Sequence, residues 1–458
     1  MSRPVIKEVE ERAPQQERLI GLHSHITGLG LDEKLKAIHI ADGLVGQEEA
    51  REAAGIMVEL VKRGKRPGHG LLLVGPPGTG KTAIAVGMAR ELGRDVPFVS
   101  MSGSEIYGTA MKKTEMLTQA IRRAIGVRLV DEREVYEGEV VNIEIEKAPH
   151  PYNPYAQVAL GAFLTLKTKQ EEKSLEVGER VAAQLLRLNV RPGDVIEIDA
   201  ETGHVTKLGR SKYAESRWKG EYRIGRLVEV PSGPVKKVKK TTHTVTLHDI
   251  DMANIRAGRL MLFREEEITN EIRAKVDEQI EELIKSKKAE LVPGVLFIDE
   301  AHMLDIEAFS FLNRALEQEF APLLVLATNR AVTKIRGTDY KSPHGIPIDM
   351  LDRLLIAKTK IPPPEDVKKI IEIKAMADGI ELSAEALDLL TEIGVKRSLR
   401  YAAQLLQPAR VVAEMSGSNI VKPEHVKRVM SVYLDFRDSI NYLNEELKKD
   451  PVLSEFLQ

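Results

Sequence analysis

Leu71-Leu72-Leu73-Val74-Gly75-Pro76-Pro77-Gly78-Thr79-Gly80-Lys81-Thr82 is the stretch that decides the fold. Four apolar residues read as a short buried strand. A loop of form GxxxxGK[ST] follows and opens a helix with Ile84, Met88 and Leu92 on one face. That order has a physical reason. Glycines let successive backbone N–H groups curl around a β-phosphate, and the helix N-terminus adds its positive dipole end. Lys81 is placed for the β- and γ-phosphates, and the Thr82 hydroxyl for Mg²⁺. A glycine-rich turn with a stray lysine would need neither the strand before it nor the helix after it. The segment predicts an α/β core built on a parallel sheet, with Gly75, Pro76, Pro77, Gly78, Thr79, Gly80, Lys81 and Thr82 around ATP or ADP.

Two further strands end in chemistry. Val295-Leu296-Phe297-Ile298 runs into Asp299-Glu300. Asp299 is expected to hold Mg²⁺ through water, and Glu300 to orient and polarise the attacking water. Leu323-Leu324-Val325-Leu326-Ala327 runs into Thr328-Asn329, where Asn329 either senses the γ-phosphate or lytic water or is simply a turn residue. Asp299-Glu300-Ala301-His302 also spells DEAH, a helicase label. The chain after it holds one more strand region and then helices, not a second nucleotide-binding domain. The spelling is therefore read as coincidental and His302 as structural.

Lys81 and Asp299 stand 218 positions apart. Two βαβ units of about 30 residues each would separate them by far less. The strand Val96-Pro97-Phe98-Val99 and a helix around Lys112 to Ile125 supply the second unit, so the excess is an insertion. There the pattern turns to period two: Val141, Ile143 and Ile145; Leu164 and Leu166; Ile196 and Ile198. Turn signals at Arg191-Pro192-Gly193-Asp194 and Glu201-Thr202-Gly203 punctuate it, which predicts a small antiparallel barrel. Ile268, Ile272, Val276, Ile280 and Ile284 recur every four residues and predict a closing helix. Pro234-Val235-Lys236-Lys237-Val238-Lys239-Lys240, with Tyr213, Trp218 and Tyr222 upstream, reads either as a nucleic-acid groove or as a solvated lysine-rich loop.

After the hinge Pro362-Pro363-Pro364 the chain reads as four helices. Their starts are marked by Glu365-Asp366, Ser383, Ser398 and Pro423. This is expected to be a lid over the nucleotide. Arg353 is placed to reach the γ-phosphate of a neighbouring subunit, and Arg400, at the start of a lid helix, that of its own. The competing reading of any arginine is a surface ion pair.

Composition narrows the function. With 458 residues, about three domains are expected. Lys+Arg 67 against Asp+Glu 69 excludes a bulk polycation, so any nucleic-acid contact is local. Cysteine is absent, which removes disulfides, Cys-ligated zinc, iron–sulfur clusters and thiol catalysis. Met1 to Leu22 lacks the apolar centre of a signal peptide, and no run approaches the ~20 apolar residues of a spanning helix. The expectation is a cytoplasmic protein, nuclear if the source is eukaryotic, with no membrane partner.

The P-loop, the Asp-Glu strand, Asn329, Arg353 and the lid with Arg400 resemble the AAA+ ATPase arrangement. His23-Ser24-His25-Ile26-Thr27-Gly28-Leu29-Gly30-Leu31, Gly43-Leu44-Val45-Gly46-Gln47, Val135-Tyr136-Glu137-Gly138-Glu139-Val140, Val245-Thr246-Leu247-His248-Asp249, Ile335-Arg336-Gly337-Thr338 and Ser342-Pro343-His344-Gly345-Ile346-Pro347 resemble the RuvB-like ATPases, the Pontin and Reptin family. The likeness covers nearly the whole chain, and the lack of cysteine fits a prokaryotic, archaeal member better than the animal ones. It implies an AAA+ core (1–127 and 291–361), an inserted OB-containing domain (128–290) and a helical lid (362–458). It implies a ring, usually a hexamer and in some forms a double ring, with nucleotide between subunits. By residue match, His23 and His25 lie over the nucleotide, and Gly43, Leu44, Val45, Gly46 and Gln47 line the adenine pocket. The resemblance further implies an ATP hydrolase coupled to DNA unwinding (a helicase). The alternative is a nucleotide-gated scaffold or chaperone for protein or protein–nucleic acid assemblies. The insertion is then the contact for DNA, RNA or protein clients.

Overall fold

The structure is a computed structural model and describes residues 23, 25–65, 70–93, 95–108, 111–150, 153–212, 227–258, 268–318, 320–433, 435 and 438–440. The chain forms two compact units. One comprises Met1–Val127, Thr244–Ile284 and Leu291–Gln458; the other comprises Arg128–His243 and Lys285–Glu290.

The first unit is built on five strands: β1 (Gly70–Val74), β2 (Phe98–Ser102), β3 (Val295–Asp299), β4 (Leu323–Thr328) and β5 (Leu354–Lys358). They pair in parallel in the order β5-β1-β4-β3-β2. Leu71, Leu72 and Leu73 are all fully buried, as a parallel sheet covered on both faces requires. The registers set Val74 opposite Thr328 and Leu326 opposite Ile298, so the loops after β1, β3 and β4 leave from one edge. In open α/β sheets this carboxyl edge is where ligands bind.

Helix α1 (Glu48–Lys62) buries one face, while α2 (Lys81–Leu92) buries Ile84, Ala85, Val86, Gly87, Met88 and Ala89. The single apolar stripe expected for α2 is thus too narrow: the helix is enclosed on most sides. Gly87 makes that closure possible, since a Cβ there would stand 2.8 Å from the Gly28 carbonyl oxygen. Sequence reading missed Arg51, which lies on α1 with no exposed surface. Its guanidinium donates to the carbonyls of Leu29 (2.8 Å), Gly30 (2.7 Å), Gly46 (3.0 Å) and His39 (3.3 Å). One buried cation thereby stitches the segment after His25 to the loop before α1. Arg51→Met keeps the bulk but strands four buried acceptors. It should lower the first unit's stability by about 3 kcal/mol or more, read as a shift of its urea midpoint.

Helix α3 (Lys113–Arg123) packs with the helices Leu247–Gly258 and Asn270–Lys285. Arg122 binds both oxygens of the fully buried Asp251 (2.5 and 2.7 Å) and reaches Asp277 (2.8 Å), and Arg273 binds Glu115 (2.5 Å). These buried pairs, with Val276 and Ile280 in the core, account for Thr244–Ile284 folding with the first unit. The second unit is thus narrower than the stretch 128–290.

Helix α4 (Ile306–Leu316) follows β3, with Asp305 capping it through Ala308 N–H. The lid is four helices: α5 (Pro364–Ala377), α6 (Ala384–Lys396), α7 (Leu399–Met415) and α8 (Pro423–Val432). Ser383 and Ser398 are side-chain caps as expected, accepting from the N–H groups of Ala386 and Tyr401, and Pro423 opens α8. Val367, Ile371, Leu390, Ile393, Leu405, Leu406 and Val426 form their shared core.

The second unit is a largely antiparallel sheet. Val205–Ser211, Asp194–Asp199, Ile125–His150, Asn153–Lys167 and Glu172–Gly178 lie side by side in that order, and Lys236–Thr246 also pairs with Ile125–His150. This is consistent with the expected OB-type domain. Leu164, Leu166, Ile196 and Ile198 point inward as their alternation predicts. Val141 does not: it is exposed, and Val140 takes the inward place. A register shift between Val140 and Asn142 adds one residue and restores the phase at Ile143 and Ile145.

The lysine-rich run is not a loop. It enters the strand Lys236–Thr246, where Lys236 pairs with Glu134 (2.8 Å), Lys237 with Glu137 (2.5 Å) and Lys239 with Glu197 (2.6 Å). Tyr213, Trp218 and Tyr222, the aromatic half of the expected groove, lie outside the described residues.

Candidate functional site: a phosphate loop between core and lid

β1 ends in Val74, and the loop Gly75 to Gly80 turns its backbone toward the start of α2. Gly78 and Gly80 adopt φ of 77° and 87°, a region open to glycine and costly to other residues. Gly75 N–H is held by the Thr328 carbonyl (3.2 Å). Lys81 Nζ lies inside the loop and donates to the carbonyls of Gly75 (2.9 Å) and Pro76 (2.8 Å). Burial pushes its pKa down, the Asp299 carboxylate pushes it back up, and the Arg400 guanidinium lowers it again. A core strand end and a lid helix therefore act on one ammonium. A buried cation whose hydrogen-bond partners among the described residues are carbonyls is suited to a phosphate, which would supply the missing counter-charge.

Asp299 closes β3, and its Oδ1 accepts from Glu300 N–H (2.8 Å). Glu300 is exposed and left-handed, at φ 51° and ψ 44°, strain of a kind that collects at functional sites. Asn329 follows β4 and is exposed. His302, next to the Asp-Glu pair, hydrogen-bonds Thr328 Oγ1 through Nδ1 (3.2 Å) and thus joins the ends of β3 and β4. That tie is structural, as expected. Among the described residues no group of three or more His, Asp or Glu could hold a metal. The donors on offer for Mg²⁺ are the Thr82 hydroxyl and one free Asp299 oxygen. They suit a hard ion that keeps most of its water.

His23 and His25 lie with their ring centroids 6.0 Å apart. Burial, each other's field and Lys374 of α5 bring the His23 pKa down to about 4; burial and Lys374 lower His25, with Asp378 opposing. Both rings thus sit within the field of the lid. The unfolded chain binds a proton at His23 near 6.5 and the folded chain only near 4. Stability from this neutral ring is full above pH 6.5 and is lost as the pH falls through about 4. His23→Gln should flatten that part of the pH dependence, measured as urea midpoints from pH 7 to 4 against the parent.

Leu44 and Val45 are buried, and Gly43 is left-handed with the His25 carbonyl 2.3 Å from where a Cβ would be. Gly46 faces Asp366 of α5 at 2.7 Å on the same construction. Gln47 spends its side-chain amide on the Lys360 backbone (2.6 and 2.9 Å). Arg400 is exposed on the first turn of α7. Arg353 is set apart from all of these. It precedes β5, its carbonyl accepts from Gly70 N–H (3.0 Å), and its Nη1 pairs with Glu317 (2.6 Å) at the sheet edge away from the phosphate loop.

A model of the TIP49 P-loop domain matches residues 19–364, and one of the TIP49 AAA-lid domain matches residues 370–435. The chain belongs to the TIP49 family. These are the Pontin and Reptin, or RuvB-like, AAA+ ATPases, so the resemblance read from the motifs holds for both core and lid. The P-loop match runs across the insertion, which makes the inserted unit part of the TIP49 pattern. Membership implies ATPase activity with nucleotide, typically alongside Mg²⁺, and TIP49-type AAA+ proteins generally assemble as rings. No described helix is long and apolar enough to cross a membrane.

Sequence reading missed Asp42 and Thr359, as well as Arg51, and took Asp366 only as a helix start. Asp42 accepts from Thr27 Oγ1 (3.0 Å) and Gly30 N–H (2.9 Å), and Asp366 bonds His39 Nε2 (2.8 Å). Each works through a partner remote in sequence, so no local pattern announces it.

Proposed function

We propose that this chain hydrolyses ATP in a hexameric ring, with each site completed by a neighbouring copy, and that hydrolysis drives unwinding or remodelling of DNA-containing assemblies in the cytoplasm. The observation that carries the hydrolysis is the Lys81 ammonium held inside the phosphate loop by the Gly75 and Pro76 carbonyls, within the field of Asp299 and Arg400. The loop N–H groups and Lys81 take the β- and γ-phosphates. Thr82 and Asp299 hold Mg²⁺, which supplies charge neutralisation on the phosphate oxygens. Glu300 polarises the attacking water, Asn329 and Arg400 read the γ-phosphate, and His23, His25 and Gly43 to Gln47 enclose the base. Lys81→Ala tests this: ATP binding and turnover should both fall below detection, and normal turnover would reject the site.

A second reading, a nucleotide-gated scaffold for protein assemblies, is favoured by the state of the lysine run. Lys236, Lys237 and Lys239 each face a carboxylate. A phosphate backbone would have to displace those partners. Changing all three lysines to glutamine separates the readings. If the run is the DNA contact, the slope of log affinity against log salt should shrink by about 2 to 3. An unchanged slope assigns DNA elsewhere and leaves the inserted unit to protein clients.

A further inference from the structure

Residues 359 and 360 join the core to the lid, and each is fastened to a different loop of the site. Thr359, only 4% exposed, follows β5, and its N–H donates to Val74 O (2.8 Å). Its hydroxyl oxygen lies 2.6 Å from Thr79 Oγ1. Thr79 Oγ1 also reaches Pro76 O (2.8 Å) and Thr359 Oγ1 reaches Val74 O (3.4 Å), so either hydroxyl can be the donor between the two threonines. Pro76 O is also an acceptor for Lys81 Nζ. A chain of hydroxyls thus runs from the root of the lid to the carbonyl that holds the phosphate-binding lysine. The contact is close as well as polar, because a Cβ on Gly75 would stand 2.2 Å from Thr359 Oγ1.

Lys360 is fastened on the other side. Its N–H donates to Gln47 Oε1 (2.9 Å), its carbonyl accepts from Gln47 Nε2 (2.6 Å), and its Nζ pairs with Glu49 (2.7 Å). Gln47 carries a left-handed backbone, φ 57° and ψ 33°, which these paired bonds help to hold. Pro364 opens α5 four residues further on. Any swing of that helix must pass through two residues pinned to the phosphate loop and to the Gly43–Gln47 loop.

We infer that Thr359 is a positioning residue for the phosphate loop and Gln47 its counterpart for the base-side loop, so that the root of the lid sets the grip on both ends of the nucleotide. This rests on the nucleotide-site reading above. The test is equilibrium binding of a fluorescent ADP analogue to the full chain, with adenosine as competitor. Thr359→Val should weaken ADP by about tenfold, the loss of one buried hydrogen bond at a charged site, and leave adenosine within about twofold. Thr359→Ser should restore ADP binding. Gln47→Leu should weaken adenosine and ADP alike. Should the valine variant fail to fold, Thr359→Ala removes the same hydroxyl and carries the test.

Three results would overturn the inference: a valine variant that binds ADP like the parent, one that loses adenosine and ADP equally, or a serine variant that restores nothing. A parent chain that binds neither ligand would remove the nucleotide reading together with this one. A binding parent with an equally good valine variant removes this one alone.

Discussion

Glu300→Gln should bind ATP within about twofold of the parent and hydrolyse it about a thousandfold more slowly, the middle of the range for loss of a general base. The two side chains share shape, so binding is spared; only the carboxylate can take a proton from water. Backbone geometry makes the position specific. Glu300 is held left-handed, its N–H spent on Asp299 Oδ1. Gly103 backs it closely: its N–H donates to the Asp299 carbonyl (2.8 Å), and a Cβ there would meet the Glu300 carbonyl at 2.6 Å. The turn therefore delivers one side chain to one place, and Asp299 is not a substitute for it. Single-turnover hydrolysis beside equilibrium binding measures both quantities. Normal turnover in the glutamine variant would remove Glu300 as the water activator.

The local part of this site was legible because its chemistry is contiguous. Twelve residues from Leu71 to Thr82 contain the strand, the loop and the helix start, so the motif can be read without any remote partner. The same holds for Asp299-Glu300 and for the serine caps of the lid. What stayed hidden is what distance in sequence hides. The Thr79–Thr359 bond spans 280 positions and the Gln47–Lys360 pair 313. Threonine or glutamine in a loop carries no sign of such a partner. Arg51 carried no signal, because a backbone-carbonyl cage has no composition. The lysine run hid its ion pairs for a related reason. Its carboxylate partners, Glu134, Glu137 and Glu197, are brought alongside by strand pairing, so the sequence shows the cations without their counter-charges. Val141 misled by one residue, since a bulge is an insertion that period-two counting cannot see.

Arg353→Ala should by itself abolish turnover, by about a thousandfold or more if it supplies transition-state charge, and should be rescued by subunits that carry Glu300→Gln. β5 runs parallel to β1 with Leu354 opposite Gly70 and Lys358 opposite Val74. Arg353 therefore stands where β1 begins, and the phosphate loop where it ends. Five residues of strand, roughly 16 Å, separate them, beyond the reach of one arginine side chain. Arg353 cannot serve its own subunit's nucleotide. Its partner Glu317 is exposed, and an exposed pair of this kind contributes about 1 kcal/mol at most, a small cost to exchange for a phosphate. In the proposed ring each interface would be heterologous, taking the phosphate loop from one copy and the arginine from the next. A site with Glu300 intact on an Arg353→Ala subunit can then be completed by the arginine of a Glu300→Gln neighbour. Equal mixing makes about a quarter of interfaces competent in this way, although each variant alone is inactive. Turnover in co-refolded mixtures, with mixed assembly shown by differently tagged subunits, measures it. If mixed rings form and stay as inactive as the separate variants, the shared site is wrong, and Arg353 reverts to a surface partner of Glu317.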